Sequence, residues 1–188
     1  MPNLPTAPMA NITTAAQLLR FRDPPFRHEL VRGELRTMSP AGHWHGDVIA
    51  ALTERLRRYV RSHQLGRIFV NDTGFVLAHR PDTVLAPDLA FVRQERLPPP
   101  RSPGFYEGPP DVAIEVRSPG DSRRAHDRKG RAWLRHGTPC VWLCDPEDET
   151  VTVLRSQQEP VVVGASGILS GSPEIRGFRV RLRTIFPR

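Results

Sequence analysis

Three ionisable residues, Asp88, Glu115 and Lys129, carry the chemistry that this sequence suggests. Asp88 follows Pro87 in APDLAFV, and Glu115 lies inside DVAIEVRSP, so both carboxylates fall on apolar strands. A carboxylate in such a strand is costly to desolvate unless it is paired or binds a cation. Lys129 follows on the next predicted helix. Acids and an amine that converge at strand ends suit a hard divalent cation beside an activated water.

Taken singly, each acid has a simpler interpretation, because a strand-end carboxylate often caps a turn or pairs with an arginine. The lysine makes that interpretation less attractive. The chain carries 27 Lys+Arg against 20 Asp+Glu, a formal net charge of +7, and Lys129 is its one lysine. A basic balance suits a polyanionic partner such as DNA, although surface composition alone can produce it.

Length and composition exclude several classes of protein. A chain of 188 residues favours one domain with a core of its own. No apolar run approaches the ~18 residues of a membrane span, and no secretory signal is evident. Cys140 and Cys144 lie on one predicted strand, roughly 13 Å apart, too far for a disulfide. We interpret them as small hydrophobes in a reducing compartment and expect a cytoplasmic location.

The remaining patterns predict a mixed α/β chain in which helices and strands interleave. Residues 1–20 resemble a poorly ordered arm with a weak helix, and residues 21–188 form one domain. The segment 27–40 predicts a hairpin, and apolar periodicity predicts a helix from about His43 to His63 whose other faces are rich in arginine. Segments 67–79 and 83–92 predict two strands. The proline-rich segment 96–110 predicts a long loop, a helix ends near Gly137, and short strands close the chain.

Four segments in order resemble the Uma-two family of restriction endonucleases, within the PD-(D/E)XK nuclease superfamily. The resemblance covers about residues 21–187. Its most specific parts are PDLAFV, the E-V-x-S-P turn, and a lysine eight residues before the glycine of HGTPCVWL. The matching segments are HELVRGELRTMSPAGHWHGDVIAALTERL, DTGFVLAHRPDTVLAPDLAFV, PPDVAIEVRSPGDSRRAHDRKGRAWLRHGTPCVWLCDPEDETVTV and GFRVRLRTIF.

This resemblance implies a restriction-endonuclease-like core, a central mixed β-sheet flanked by helices, with extra strands at both termini. It implies an endonuclease that hydrolyses DNA phosphodiester bonds with Mg²⁺ or Mn²⁺. Asp88 and Glu115 would be metal ligands, with the Val116 carbonyl as a third, and Lys129 would orient water or shield phosphate. Arg117 replaces the usual lysine of the E-x-K triplet. Trp133 stands where the family commonly has tyrosine, which we interpret as a packing change.

Weaker candidates surround this set. Glu34 could complete the acidic cluster, His45 could contact phosphate or assist a water, and Arg117 could bind phosphate or fold back on the acids. A basic rim for DNA phosphates is expected from Arg123, Arg124 and Arg128. Cutting both strands predicts a homodimer. Two alternatives stay open: a non-catalytic nucleic-acid-binding module, and a homodimeric interaction protein that keeps the nuclease fold.

Overall fold

The computed structural model describes residues 11–21 and 26–186. The first ten residues of the predicted arm therefore lie outside the described residues. The rest of the arm holds helix α1 (Ala15–Arg20), which begins with a capping box between Thr14 and Gln17. Leu18 of this helix is buried against the first strands. This part of the arm packs onto the domain.

Helices α2 (His43–Ser62) and α3 (Arg123–Arg135) are the two long helices among the described residues. The prediction for α2 is confirmed to within one residue, because its apolar residues recur at helical spacing. The predicted end of α3 near Gly137 is close to the observed one. The side chain of Ser122 caps α3 by accepting a hydrogen bond from the Ala125 N–H.

Six strands form a large mixed sheet that carries the centre of the fold. In chain order they are β3 (Gly66–Val70), β6 (Leu89–Arg93), β8 (Val112–Val116), β9 (Cys140–Asp145), β10 (Thr150–Arg155) and β11 (Val161–Val163). Their spatial order is β11-β10-β9-β8-β6-β3, and β8 and β9 run parallel on either side of α3 in the sequence. Every residue of β8 is buried, Glu115 included, and its apolar residues on both faces predict this central position.

A second, five-stranded sheet lies beside the first. Its strands are β1 (Arg27–Val31), β2 (Glu34–Met38), β4 (Phe75–Ala78), β5 (Thr83–Leu85) and β7 (Tyr106–Glu107). The spatial order is β2-β1-β5-β4-β7. The predicted hairpin is confirmed: Arg32 and Gly33 turn it with positive φ angles of 53° and 76°, the conformation that a two-residue turn between twisted strands needs.

The two strands predicted over residues 67–92 are four, and this prediction was wrong. The Asn71–Gly74 segment breaks the first, with Asp72 at a φ of 59°, and Ala86 and Pro87 break the second. The chain thereby passes from the large sheet to the small one and back. The predicted long loop also contains regular structure, because β7 pairs parallel with β4.

The two long helices cover opposite faces of the large sheet. Five apolar residues of α2, from Val48 to Val60, share a core with Leu89 and Ile114, and this core includes residues of a C-terminal ribbon. Trp133 of α3 packs on the other face with Ala90 and Ala113. The ribbon consists of β12 (Ile168–Ser170) and β13 (Arg179–Arg181). The mixed α+β architecture predicted from the sequence is confirmed.

Helix α3 approaches the large sheet closely at Gly130. A Cβ placed there would lie 2.9 Å from Leu143 Cδ2 and 3.0 Å from Leu154 Cδ1. A side chain at this position would have to displace the ends of the Leu143 and Leu154 side chains or move the helix outward. Within the described residues, no helix is long and apolar enough to cross a membrane.

Candidate active site

Asp88 and Glu115 come from neighbouring strands of the large sheet and share one face of it. Strands β6 and β8 pair antiparallel with Leu89 opposite Ile114. One further step along both strands places Asp88 opposite Glu115, and directly opposite residues point to the same face. Both residues are buried, with 4% and 2% of their surface exposed. The sheet therefore brings the two predicted acids together at one of its ends.

The Asp88 carboxylate is held from two sides. Its Oδ2 accepts a 2.8 Å hydrogen bond from the Val116 backbone N–H. Its Oδ1 lies 3.4 Å from His45 Nε2 and 3.5 Å from Arg27 Nη1. Burial alone would raise the pKa of Asp88, but the bond with His45, the charge of Lys129 and the Val116 N–H outweigh it and lower the pKa. Asp88 is therefore ionised at neutral pH.

The Glu115 carboxylate has two partners, both from α3. Trp133 Nε1 donates a 2.7 Å hydrogen bond to Oε1, and Lys129 Nζ lies 2.9 Å from Oε2. Burial is the largest influence on this carboxyl and, with the charges of Asp88 and Glu29, outweighs Lys129 and raises the pKa of Glu115 to about 7. The site thus carries more carboxylate charge than its amine balances.

Lys129 reaches the sheet end from the second turn of α3. Besides Glu115, its Nζ lies 3.8 Å from Glu29 Oε1, and 30% of its side chain is exposed. Burial would lower the pKa of the amine, yet the nearby carboxylates of Glu115, Glu29 and Asp88 raise it above its ordinary value. The amine is therefore charged, and its exposed part faces solvent where a substrate can approach.

Glu29 of β1 is the upstream acid at this site, and it was missed from the sequence. It is 5% exposed and accepts a 2.9 Å hydrogen bond from the Ala86 N–H. The predicted candidate Glu34 is exposed on the edge strand β2, and no contact among the described residues joins it to Asp88 or Glu115, so its part in the acidic cluster stays a prediction. Only two residues of the Glu29 segment HELV are apolar, so no local pattern marked Glu29 as a buried acid.

The chemistry of these donors fits a hard divalent cation held partly by the protein. Each carboxylate oxygen has two lone pairs, and three of the four oxygens of Asp88 and Glu115 have a single contact each: Asp88 Oδ2 and both oxygens of Glu115. Among the described residues, no three His, Cys, Asp or Glu side chains form a ready-made metal cage. Mg²⁺ commonly uses one or two carboxylates, with water and substrate phosphate completing its shell. A pair of acids is therefore sufficient.

The Val116 carbonyl is suited to be the additional protein ligand. Val116 directs its N–H toward Asp88, and in a strand the carbonyl of the same residue points to the same side. The pairing of β8 with β6 ends at Leu89 and Ile114, and the residue before Asp88 is Pro87, which has no N–H to donate. The Val116 carbonyl therefore lies beyond the end of this ladder.

Arg117 turns away from the acids that it was considered a partner for. Its Nε and Nη2 pair with the Asp145 carboxylate at 2.8 and 2.9 Å, and Nη2 also bonds Glu147. Its Nη1 donates to the Asp121 carbonyl at 3.1 Å. These bonds raise the pKa of Arg117 and, despite burial, lower that of Asp145. Arg117 and Asp145 therefore form a buried ion pair with a structural role at the end of β8.

The other predicted residues divide between the site and the surface. His45 is buried at the start of α2, with Nε2 facing Asp88 and Nδ1 3.4 Å from Ser118 Oγ. Arg123 pairs with Asp148 at 2.7 Å, while Arg124 and Arg128 are exposed on α3. Trp133, interpreted from the sequence as packing alone, packs and also bonds Glu115. The basic rim stays a prediction.

Comparison with known proteins places this architecture. Residues 15–183 match the Uma2 family, described as "Putative restriction endonuclease". The fold is similar to the crystal structure of a "putative nuclease belonging to DUF820" from Anabaena variabilis, with a TM-score of 0.80 and 21% identity, covering 92% of this chain and 97% of that one. The search of curated proteins found no match. Since the family match spans most of the chain, the protein belongs to the Uma2 family.

Proposed function

We propose that this protein is a Mg²⁺- or Mn²⁺-dependent endonuclease that hydrolyses phosphodiester bonds of DNA. One observation carries the proposal: two buried carboxylates lie opposite each other at a sheet end, and a charged lysine amine lies 2.9 Å from one of them. Asp88 and Glu115 would hold the cation, with the Val116 carbonyl. The family match supports the same reaction class.

The amine of Lys129 has two tasks in this proposal. It stays charged between Glu115 and Glu29, so it can neutralise charge that develops on the scissile phosphate. It also offers an N–H to orient the attacking water. Because Lys129 comes from α3, Arg117 is not needed near the reacting atoms and can serve the buried ion pair.

Two donors beside Asp88 suit a phosphate oxygen. Arg27 Nη2 is buried and has no hydrogen-bond partner among the described residues, although Nη1 of the same guanidinium lies 3.5 Å from Asp88 Oδ1. His45 Nε2 lies 3.4 Å from the same oxygen, so it is within reach of a group bound beside Asp88. An unpaired buried donor is costly, and a phosphate oxygen would satisfy it. We assign Arg27 and His45 to substrate binding.

A divalent cation bound by Asp88 and Glu115 would supply charge neutralisation for the phosphate and make water easier to deprotonate. The protein's own part is to hold the two carboxylates rigid through Val116, Trp133 and Lys129. Cleavage of both strands needs two such sites, so the homodimer remains a prediction of this proposal.

The test is plasmid cleavage by the wild-type protein and by the Asp88→Asn variant. We expect cleavage with Mg²⁺ or Mn²⁺ and none with a chelator. Asp88→Asn should lower the rate by at least about a hundredfold, the scale of losing one electrostatic contribution, and should weaken Mn²⁺ binding in isothermal titration. Asp47→Asn is the matched control, because Asp47 is exposed two residues after His45.

Two results would contradict the proposal. If Asp88→Asn cleaves like the wild-type protein, Asp88 is not a ligand in the reaction. If the wild-type protein binds DNA yet leaves plasmid intact with both metals, the non-catalytic nucleic-acid-binding alternative is favoured instead.

A further inference from the structure

A broad groove lies between the C-terminal half of α2 and strand β3, away from the carboxylates. Its volume is about 1290 Å³, and four arginines line it: Arg57, Arg58 and Arg61 from α2, and Arg67 from β3. The groove is larger than most small-molecule sites, which are also mainly apolar. The neutral side chains of Ser62, Gln64 and Gln94 complete its polar lining. Its size and lining suit an extended anion.

The positive charge of the groove is not balanced by carboxylates. Within the part of the chain that the structure describes, none of its four arginines forms an ion pair, and all four side chains are exposed. The nearest acids in the sequence have other partners. Glu54 lies 3.7 Å from Arg55, and Glu95 lies 3.7 Å from Arg93. The arginines of two different elements therefore converge on one concave surface with their charge uncompensated.

The groove and the candidate active site occupy opposite ends of one structural unit. His45 stands at the active-site end of α2 and Arg61 at the groove, a separation of roughly 24 Å at 1.5 Å per residue. Strand β3 connects the same two ends in the opposite chain direction. Gly66 lies at the groove, and Val70 pairs with Leu89 beside Asp88. One DNA strand carries a phosphate about every 3.4 Å, so roughly seven nucleotides span this distance.

We propose that the arginine groove binds the sugar-phosphate backbone of the DNA several nucleotides away from the scissile bond. Arginine is suited to this because its planar fork matches phosphate oxygens. Contacts with backbone phosphates position a duplex without reading its sequence. The inference rests on the proposed nuclease function for the identity of the ligand, and it adds a second binding surface to that function.

The test measures binding without cleavage. A fluorescently labelled 20-base-pair duplex is titrated, in chelator and at several salt concentrations, with protein carrying Asp88→Asn. Adding Arg58→Gln and Arg61→Gln should weaken binding about tenfold. The slope of log K against log salt should fall by about 1.8, because each lost phosphate contact removes about 0.9. The control pair, Arg179→Gln with Arg181→Gln, removes the same charge from the exposed ribbon β12–β13 and should change binding less than twofold.

Equal loss in both double variants would overturn the proposal, because net charge alone would then explain the binding. Unchanged DNA binding with lost binding to a labelled polyglutamate peptide would also overturn it and assign the groove to an acidic protein. The outcomes separate the two proposals. If the wild-type protein does not cleave but the groove variant loses DNA binding, the groove stands. If it cleaves and the groove variant binds unchanged, the groove alone fails.

Discussion

Two clusters of buried charge lie near the end of strand β8, and they are built differently. In one, Glu29, Asp88 and Glu115 surround Lys129. In the other, Arg117 is bonded by Asp145, Glu147 and the Asp121 carbonyl. The second cluster satisfies its arginine with the chain's own acceptors. The first holds more carboxylates than its amine can balance, and the buried Arg27 Nη2 beside it has no hydrogen-bond partner within the part of the chain that the structure describes.

The difference teaches which charges are structural and which await a ligand. A buried ion pair that is complete within the protein holds the fold in one arrangement, although it adds little net stability over an apolar packing. A buried cluster that is incomplete is costly unless something else completes it. The structure therefore separates two basic residues that the sequence analysis considered beside Glu115: Arg117 belongs to the complete cluster and Lys129 to the incomplete one.

The largest expected effect is on stability, in the complete cluster. Arg117→Met keeps much of the side-chain volume and leaves Asp145 buried without its main partner. We expect the free energy of unfolding to fall by about 3–5 kcal/mol, measured by urea denaturation. The specific cleavage rate of the folded protein should change by less than about threefold. A lost rate with full stability would show instead that Arg117 acts on the substrate.

The next effect concerns the incomplete cluster. Lys129→Met keeps the stem and removes the charge, and we expect plasmid cleavage to fall by at least roughly a hundredfold with the fold largely kept. Lys129→Arg should not rescue fully, because a planar fork does not place its charge as an amine does. If Lys129→Met cleaves plasmid at the wild-type rate, the electrostatic role belongs to Arg117 and not to Lys129.

A smaller effect is expected from the indole that holds Glu115. Trp133→Phe preserves an aromatic ring in the core but removes the N–H that bonds Oε1. We expect Mn²⁺ affinity to fall by about tenfold, the lower end for residues that orient metal ligands. Isothermal titration measures it. Unchanged affinity, with a lower Tm, would mean that Trp133 contributes packing alone.

The smallest effects come from a matched pair of strand acids. Glu29→Gln removes a charge beside Lys129 and should slow cleavage severalfold to about tenfold, within the range for second-sphere partners. Glu34→Gln makes the same chemical change on the exposed edge strand and should leave the rate within about twofold. If Glu34→Gln slows cleavage more than Glu29→Gln does, Glu34 is the upstream acid, as the sequence analysis predicted.

Local patterns were enough for much of this molecule. Helix α2 follows from its apolar periodicity, and the apolar residues on both faces of β8 indicate a central strand. Asp88 and Glu115 were found because a charge inside an apolar strand is costly whatever the tertiary structure. Lys129 stood out as the one lysine of the chain. The motif resemblance supported its link to the two acids, since an amine on a later helix has no local signal that ties it to a strand end.

Contacts between distant elements could not be predicted in the same way. Glu29 approaches Lys129 because the two sheets abut, and nothing near residue 29 specifies that. The Trp133 N–H reaches Glu115 only because α3 packs on the sheet in one particular position along β8. Arg117 was ambiguous because an arginine can reach several acids, and its choice of Asp145 depends on the parallel pairing of β8 with β9.

Gly130 lets helix α3 pack closely on the large sheet, next to the residue that carries the amine, Lys129. Leu143 and Leu154 fill the space where its side chain would stand, so the residue sets how deeply α3 seats on the sheet. Lys129 is the adjacent residue, and its 2.9 Å contact with Glu115 depends on that seating. Even an added methyl group would have to displace the ends of these two leucine side chains or lift α3 from the sheet. If the helix moves, the amine of Lys129 moves away from Glu115 with it. In redesigned versions of this protein, Gly130 is therefore the position to keep as glycine if the Lys129 amine is to stay in contact with Glu115.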